Sequence, residues 1–129
     1  MKKILFEVIY ANQTTVVRHL AMNKASILQK VVEFVSESFG IYPEYNEDFH
    51  VFGYNAANQK WVFTEDDLAK MLPFKRKDFN LSKIFENNSQ FFITIDQKLP
   101  FTFTVKYLKE YDCEQSQPSI ELKVGEIVL

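Results

Sequence analysis

The segment "NEDFHVFGYN" (Asn46 to Asn55) contains one of the two histidines of this 129-residue chain, next to acidic and aromatic residues. Its alternating pattern predicts a strand that places Asp48 and His50 on the same face. A carboxylate and an imidazole two residues apart on a strand can share a metal ion, and Asp96 and His19 are candidates to join them from neighbouring strands. The sequence therefore provides one metal-enzyme hypothesis, which is centred on His50, Asp48 and Asp96.

The alternative interpretation of His50 is structural. A metal site needs three or four convergent ligands, and the sequence offers only these dispersed candidates. In the structural interpretation the His50 ring packs against aromatic neighbours and hydrogen-bonds across the sheet. The chain also has no glycine-rich phosphate loop and no nucleophilic serine motif. We therefore expect a protein without catalytic residues, resident metal or cofactor, and we favour a role other than that of an enzyme.

A second candidate site is the basic cluster "KRK", formed by Lys75, Arg76 and Lys77 between two phenylalanines. Cations next to aromatic rings are typical of contacts with nucleic acid or with an acidic partner. Arg18 is a further candidate for the same contact. The formal net charge of the chain is −2, however, whereas proteins that grip phosphates carry a surplus of Lys and Arg. The charge balance disfavours nucleic-acid binding and favours a solvated turn.

Composition limits the class of protein further. The single Cys113 excludes an internal disulfide and a multi-cysteine zinc site. Because no run of about 18 apolar residues occurs, we expect no membrane span. The opening "MKKILFEVIY" lacks the length and cleavage site of a signal peptide. The sequence thus predicts a cytoplasmic protein with one domain, residues 1–129.

The N-terminal half shows clear secondary-structure signals. "KILFEVIY" and "TTVVRHLA" alternate as strands and, with only "ANQ" between them, predict an antiparallel hairpin. The next segment has apolar residues at spacings of three and four, which predict a main helix over about residues 26–39. Ser26 and Gln29 predict a capping box at its start, and Gly40 a left-handed end.

The remaining segments predict strands with short helices between them. "DFHVFGY" and "KWVF" are expected strands, as are residues 90–96, residues 101–108 and the final "SIELKVGEIVL". Short helices are expected near residues 65–72 and 81–86, the second capped by Asn80. This order predicts an α+β fold, with a largely antiparallel sheet of about five to seven strands and the main helix packed on one face.

Three segments, "VVRHL", "SILQKVVEFVSESFGI" and "DFHVFGY", resemble the Ri-plasmid open-reading-frame-three family, some of whose members are labelled transposon-passenger, TnpR-like proteins. Matching places are filled by Arg18, Ser26, Leu28, Phe39, Gly40, His50 and Phe52. The resemblance implies an α+β fold and a bacterial mobile element, but the family has no established activity to transfer. The family's Tyr-x-Tyr-Asp-Phe-Gly-Asp-x-Trp-x-His segment reads "ITIDQKLPFTFTV" here, which keeps only Asp96 and implies a divergent member.

The functional expectation is a non-catalytic protein-interaction or accessory module. If the strand "FTFTVKYLKEY" lies at a sheet edge, it can pair with another chain, so the expected partner is another protein or a second copy. One alternative is a nucleic-acid-associated accessory protein of a mobile element that uses Lys75, Arg76, Lys77 and Arg18. The other alternative is the metal-dependent enzyme described above.

Overall fold

The computed structural model describes residues 1–42, 49–53, 80–87, 89–95 and 101–128. In chain order, the elements are β1 (Lys2–Tyr10), β2 (Val17–Asn23), α1 (Leu28–Ser38), β3 (Phe49–Gly53), α2 (Leu81–Asn87), β4 (Gln90–Ile95), β5 (Phe101–Asp112) and β6 (Ser119–Val124). The strands form one sheet in the order β3-β4-β5-β1-β2-β6, and every neighbouring pair is antiparallel. The predicted α+β class and the expected five to seven strands are confirmed.

The β1–β2 hairpin lies inside the sheet, between β5 and β6. The hairpin was predicted, but its connection covers residues 11–16 rather than three residues, and β2 begins at Val17. Local hydrogen bonds explain the difference. The Gln13 N–H donates to the Tyr10 carbonyl (3.1 Å), and the Val16 N–H donates to the Gln13 carbonyl (2.9 Å). The threonines after Gln13 therefore belong to a turn instead of the strand.

The core lies on one face of the sheet, beneath both helices. On β1 the buried apolar residues are Ile4, Phe6, Val8 and Tyr10, which alternate as the period of a strand requires. Burying such a side chain contributes about 1.5–3 kcal/mol. The opposite face, called the second face below, carries the half-buried Leu5, Glu7 and Ile9 of β1. The sheet is therefore packed on the helical side and only partly covered on the second face.

Helix α1 confirms the main predicted helix, with a later start. Val31, Val32 and Val35 point into the core. The predicted Ser26–Gln29 capping box is wrong, because Ile27 is the N-cap residue in extended conformation and no side chain caps the helix. Instead, the Ser26 carbonyl accepts a hydrogen bond from the Leu81 N–H (2.9 Å). The start of α1 is thus tied to the start of α2 by backbone hydrogen bonding.

The end of α1 follows the prediction for Gly40. This glycine has φ = 76°, its N–H donates to the Glu37 carbonyl (2.9 Å), and the Ile41 N–H donates to the Ser36 carbonyl (2.9 Å). Paired hydrogen bonds of this kind satisfy the last carbonyls of a helix that ends in a left-handed residue. Glycine is favoured there because side chains strain the positive φ.

Helix α2 confirms the short helix that was predicted near residues 81–86. The Asn80 side-chain oxygen accepts a hydrogen bond from the Lys83 N–H (3.0 Å), as expected of an N-cap. Leu81 and Ile84 are buried in the core. The predicted helix near residues 65–72 and the predicted strand "KWVF" lie outside the described residues. In the part of the chain that the structure describes, no helix has the length and apolar character needed to cross a membrane.

Strand β5 is internal rather than at an edge over its first half, where it pairs with β4 and β1 on either side. Its predicted alternation is confirmed, since Phe101, Phe103 and Val105 are buried whereas Thr102 is half-buried. The last pair with β4 joins Lys106 to Gln90, and β5 continues beyond it to Asp112. The hypothesis that this strand is a free edge is therefore wrong for residues 101–106.

Two glycines with positive φ provide a matched test of this backbone. A Cβ at Gly40 meets nothing within 4 Å, whereas a Cβ at Gly125 (φ = 74°), just after β6, lies 3.2 Å from the Thr15 carbonyl oxygen. We expect Gly40→Ala to lower the free energy of unfolding by about 1 kcal/mol, from positive φ alone. Gly125→Ala should lower it more, because a steric contact is added. Urea unfolding of both variants measures the difference, and equal losses would contradict the close approach at Gly125.

Candidate functional site

Arg18, a predicted nucleic-acid contact, lies inside the protein. Its relative exposure is 0%. The Nε–H donates to the Ser38 carbonyl at the end of α1 (2.8 Å), and Nη1 donates to the Val17 carbonyl (2.9 Å). The guanidinium carbon lies 4.7 Å from the centre of the Phe39 ring, within the range of a cation–π contact. Arg18 is therefore wrong as a contact residue, because its charged group is not at the surface.

The outer nitrogens of Arg18 bind the segment that follows β6. Nη1 also donates to the Val124 carbonyl (3.1 Å) and to the Gly125 carbonyl (2.9 Å). Nη2 lies 3.5 Å from the Glu126 carboxylate. Burying a guanidinium is tolerated only when its nitrogens find acceptors, and here Nε, Nη1 and Nη2 each have at least one. Arg18 thus joins α1, β2 and the C-terminal segment.

The electrostatics of this cluster continue to the surface. Burial lowers the pKa of Arg18, and the Glu126 carboxylate raises it; arginine nevertheless keeps its charge in proteins. The hydrogen bond from Lys123 is the largest cause that lowers the pKa of Glu126, and the charges of Lys123 and Arg18 act in the same direction. The Lys123 Nζ lies 2.8 Å from a Glu126 carboxylate oxygen. Glu126 is therefore held between a buried and an exposed cation.

The two histidines do not meet. His50 lies on β3, where its Cα partner is Thr94 of β4, and His19 lies on β2. Three strands separate β3 from β2, which corresponds to about 19 Å at the usual spacing between strands. His19 instead faces Glu7 across the hairpin, with its Nε2 2.9 Å from the Glu7 carboxylate. The expectation that His19 joins a metal site with His50 is wrong.

Asp48, Asp96 and the basic cluster Lys75, Arg76 and Lys77 all lie outside the described residues. Within the described ranges, no group of three or more His, Cys, Asp or Glu side chains could hold a metal ion. The Glu7–His19 pair sits half-buried on the second face and is a cross-strand polar pair of the kind that stabilises a sheet.

The feature that sequence reasoning missed is an exposed apolar surface on β6. Ile120, Leu122 and Val124 are 46%, 41% and 46% exposed, and these three residues are called the β6 surface below. β6 is the last strand of the sheet, beside β2. The segment "SIELKVGEIVL" was expected to contain a strand, but the sequence does not show that this strand lies at an edge of the sheet, where its side chains stay exposed. Soluble proteins seldom leave a row of apolar side chains at an edge.

The backbone of β6 is poorly suited to pairing with another strand, although its side chains are exposed. Its ladder with β2 shifts register between His19 and Leu20, which leaves Glu121 as an additional residue between Ile120 and Leu122. Such a bulge twists an edge strand, and charged side chains on it discourage regular pairing with another strand. The side chains of the β6 surface are therefore its available means of binding.

Comparisons with known proteins describe the fold but not the function. No family model matches the chain, and a search of curated proteins finds no significant match. A solved structure with a similar fold is that of MM3350, a protein of unknown function from Methanosarcina mazei Go1, with a TM-score of 0.71 and 11% sequence identity. The similarity covers 95% of this chain and 68% of that chain. At this identity the match supports the α+β architecture alone.

Removing the Arg18 guanidinium tests its structural role. Arg18→Met keeps a long side chain but leaves the carbonyls of Ser38, Val124 and Gly125 without this donor, so we expect a loss of about 3–5 kcal/mol of unfolding free energy. Lys123→Met removes only an exposed ion pair and should change stability far less. Urea unfolding followed by circular dichroism measures both. Similar losses in the two variants would contradict the role assigned to Arg18.

The lowered pKa of Glu126 predicts a pH dependence. Because the folded state holds the carboxylate charged, Glu126 contributes stability above its unfolded pKa, about 4.3, and loses that contribution as pH falls through its lower folded pKa. Glu126→Gln should therefore be less stable than the unmodified protein at pH 7, and the difference should vanish near pH 2. Glu114→Gln, in the exposed connection before β6, is the control. A stability difference for Glu126→Gln that is independent of pH would contradict this assignment.

Proposed function

We propose that this protein is a non-catalytic interaction module that binds a protein partner through the β6 surface. The supporting observation is the exposure of Ile120, Leu122 and Val124 on an edge strand of the sheet. Protein–protein contacts characteristically have apolar side chains at the centre and polar groups around them. Glu121 and Lys123 supply such polar groups between the apolar ones.

The orientation of the three side chains suggests how a partner is bound. Leu122 is the register partner of His19, and Val124 that of Val17, so both lie at the margin of the second face, whereas Ile120 is the register partner of the buried Leu20 and lies at the margin of the helical face. Val17 is half-buried there and extends the apolar strip inwards. A specific interface buries about 800 Å² on each partner, which is more than three side chains provide. The β6 surface is therefore proposed as the centre of an interface that continues onto the second face.

The proposal includes a cytoplasmic location, in keeping with the single Cys113, which has no second cysteine for an internal disulfide. We do not propose nucleic-acid binding as a second function, because Arg18 is buried and only Lys75, Arg76 and Lys77 are left of that candidate set. The metal-enzyme hypothesis is likewise left with His50, Asp48 and Asp96, without a contact in the described residues that favours it. The resemblance to the Ri-plasmid family adds no activity to these alternatives.

A photo-crosslinking amino acid at Leu122 tests the proposed contact in cells. We expect illumination to give a covalent adduct of fixed mass, because the side chain lies within the proposed interface. The same amino acid at Glu37, which is exposed on α1, should give no such adduct. Replacing Ile120 and Val124 together by Ser in the Leu122-labelled chain should lower the adduct yield several-fold. Mass spectrometry of the adduct then identifies the partner.

Two results would count against this function. Equal crosslinking from Leu122 and Glu37, in variants whose thermal unfolding matches the unmodified protein, would show that the β6 surface is not a preferred contact. Retention of the protein on DNA that disappears with added salt would favour the nucleic-acid alternative instead.

A further inference from the structure

β6 and β5, which are consecutive in the chain, lie on opposite sides of the β1–β2 hairpin in the sheet. β5 contacts β1, whereas β6 contacts the far side of β2. Residues 113–118 therefore bridge three strand spacings, about 14 Å, past the ends of β1 and β2. Residues 114–118 are exposed. This connection contacts β1 and the residue before it through the Lys3 Nζ, which donates to the Gln117 carbonyl (2.6 Å), and the Cys113 N–H, which donates to the Met1 carbonyl (2.9 Å).

Residues 119–128, called the C-terminal strand segment below, are held mainly by polar contacts. Beyond the ladder with β2, Arg18 binds the Val124 and Gly125 carbonyls. The Gln13 amide donates to the Val128 carbonyl (2.8 Å) and accepts from the Val128 N–H (3.2 Å), as a neighbouring strand would. Ile127 packs against the core, but the side chains of residues 120–126 are exposed. A segment with so little apolar burial opens locally before the core unfolds.

The groups that receive this segment are specific for it. Arg18 is fixed from behind by the Ser38 carbonyl and the Phe39 ring, so its outer nitrogens stay aimed at the segment. The close approach to the Thr15 carbonyl fits a glycine at position 125. A carboxylate follows immediately at Glu126, within reach of Arg18. These groups therefore fit a segment that consists of a strand followed by a glycine and an acidic residue. Residues 119–126 of this chain have that order.

We propose that two copies of this protein bind each other by exchanging residues 119–128, each copy placing its segment on β2 of the other. The contacts described above join the segment to Gln13, Thr15, Arg18 and β2 and, through Ile127, to the core, and none of them requires both sides to belong to the same chain. The choice between the closed and exchanged forms is then set by the connection and by protein concentration. The β6 surface remains exposed in both forms, so this proposal does not depend on the proposed partner.

A disulfide trap in the full chain tests the exchange directly. Val17 and Val124 are register partners on β2 and β6, at a separation that a disulfide can bridge. One copy carries Val17→Cys and the other Val124→Cys, both with Cys113→Ser, and the two are mixed at high concentration before oxidation. Exchange predicts a crosslinked pair of chains. This pair should be several-fold more abundant than in a control mixture in which the second copy carries Glu86→Cys, at an exposed position of α2, instead of Val124→Cys.

Shortening the connection provides a second measurement. Deleting residues 113–116 leaves three chain links between Asp112 and Ser119, which reach about 10 Å and cannot cover the 14 Å within one copy. This variant should have the mass of a dimer by light scattering, at concentrations where the unmodified protein is a monomer. A Gly-Ser insertion after Gln115 should favour the monomer.

The disulfide trap gives the result that would contradict the exchange of residues 119–128, because it does not depend on the folding of the deletion variant. At low concentration, where the closed form prevails, Val17→Cys and Val124→Cys in the same chain must close their bridge within that chain, which establishes that the geometry is suitable. If this bridge forms but the mixed copies give no more crosslinked pair than the Glu86→Cys control, the segment does not exchange. A Leu122 crosslink to another protein would remain unaffected by that outcome, so the two proposals fail separately.

Discussion

The buried guanidinium of Arg18 is the constraint on which the arrangement of this protein depends. Its donors reach the carbonyl of Ser38, which ends α1, and the carbonyls of Val124 and Gly125, which end β6. Taking such a cation out of water costs several kcal/mol, and the attraction of its partners offsets this only when all its donors are satisfied. A shifted placement of the helix end or of the C-terminal segment leaves donors unpaired. Arg18 thus selects one arrangement of three elements.

Elements with local signals were predictable from the sequence. The apolar stripe of α1, its glycine end at Gly40, the Asn80 cap of α2 and the alternation of β5 each depend on neighbouring residues, and the structure contains all four. The Ser26–Gln29 capping box does not form because the N-cap residue is Ile27, which is extended and pairs with Asn80, 53 positions further along the chain. A hydrogen bond from so far away leaves no mark on the local pattern, so tertiary pairing decided the start of α1.

Two functional candidates, Arg18 as a surface contact and His19 as a partner of His50, failed for the same reason. Arg18 in "VVRHL" looks like a charged strand residue that points to solvent, and only the order of the strands brings the C-terminal carbonyls to it. His19 and His50 are both strand histidines, but the sheet order places three strands between them. Conversely, "IELKV" has the composition of an ordinary half-buried strand. Its exposure follows from a position beyond β2 that no local pattern encodes.

The attachment of β6 links these observations to function. Exposed Ile120, Leu122 and Val124 contribute little to holding the strand on its own sheet, because their apolar area is still in contact with water. The strand is held instead by backbone hydrogen bonds, by Gln13 and by Arg18. Directional polar contacts therefore position the strand, and its apolar side chains remain exposed at the surface. Such a division is what the proposed binding through the β6 surface requires, since burial of the same side chains against the protein's own core would leave no apolar area for another chain to cover.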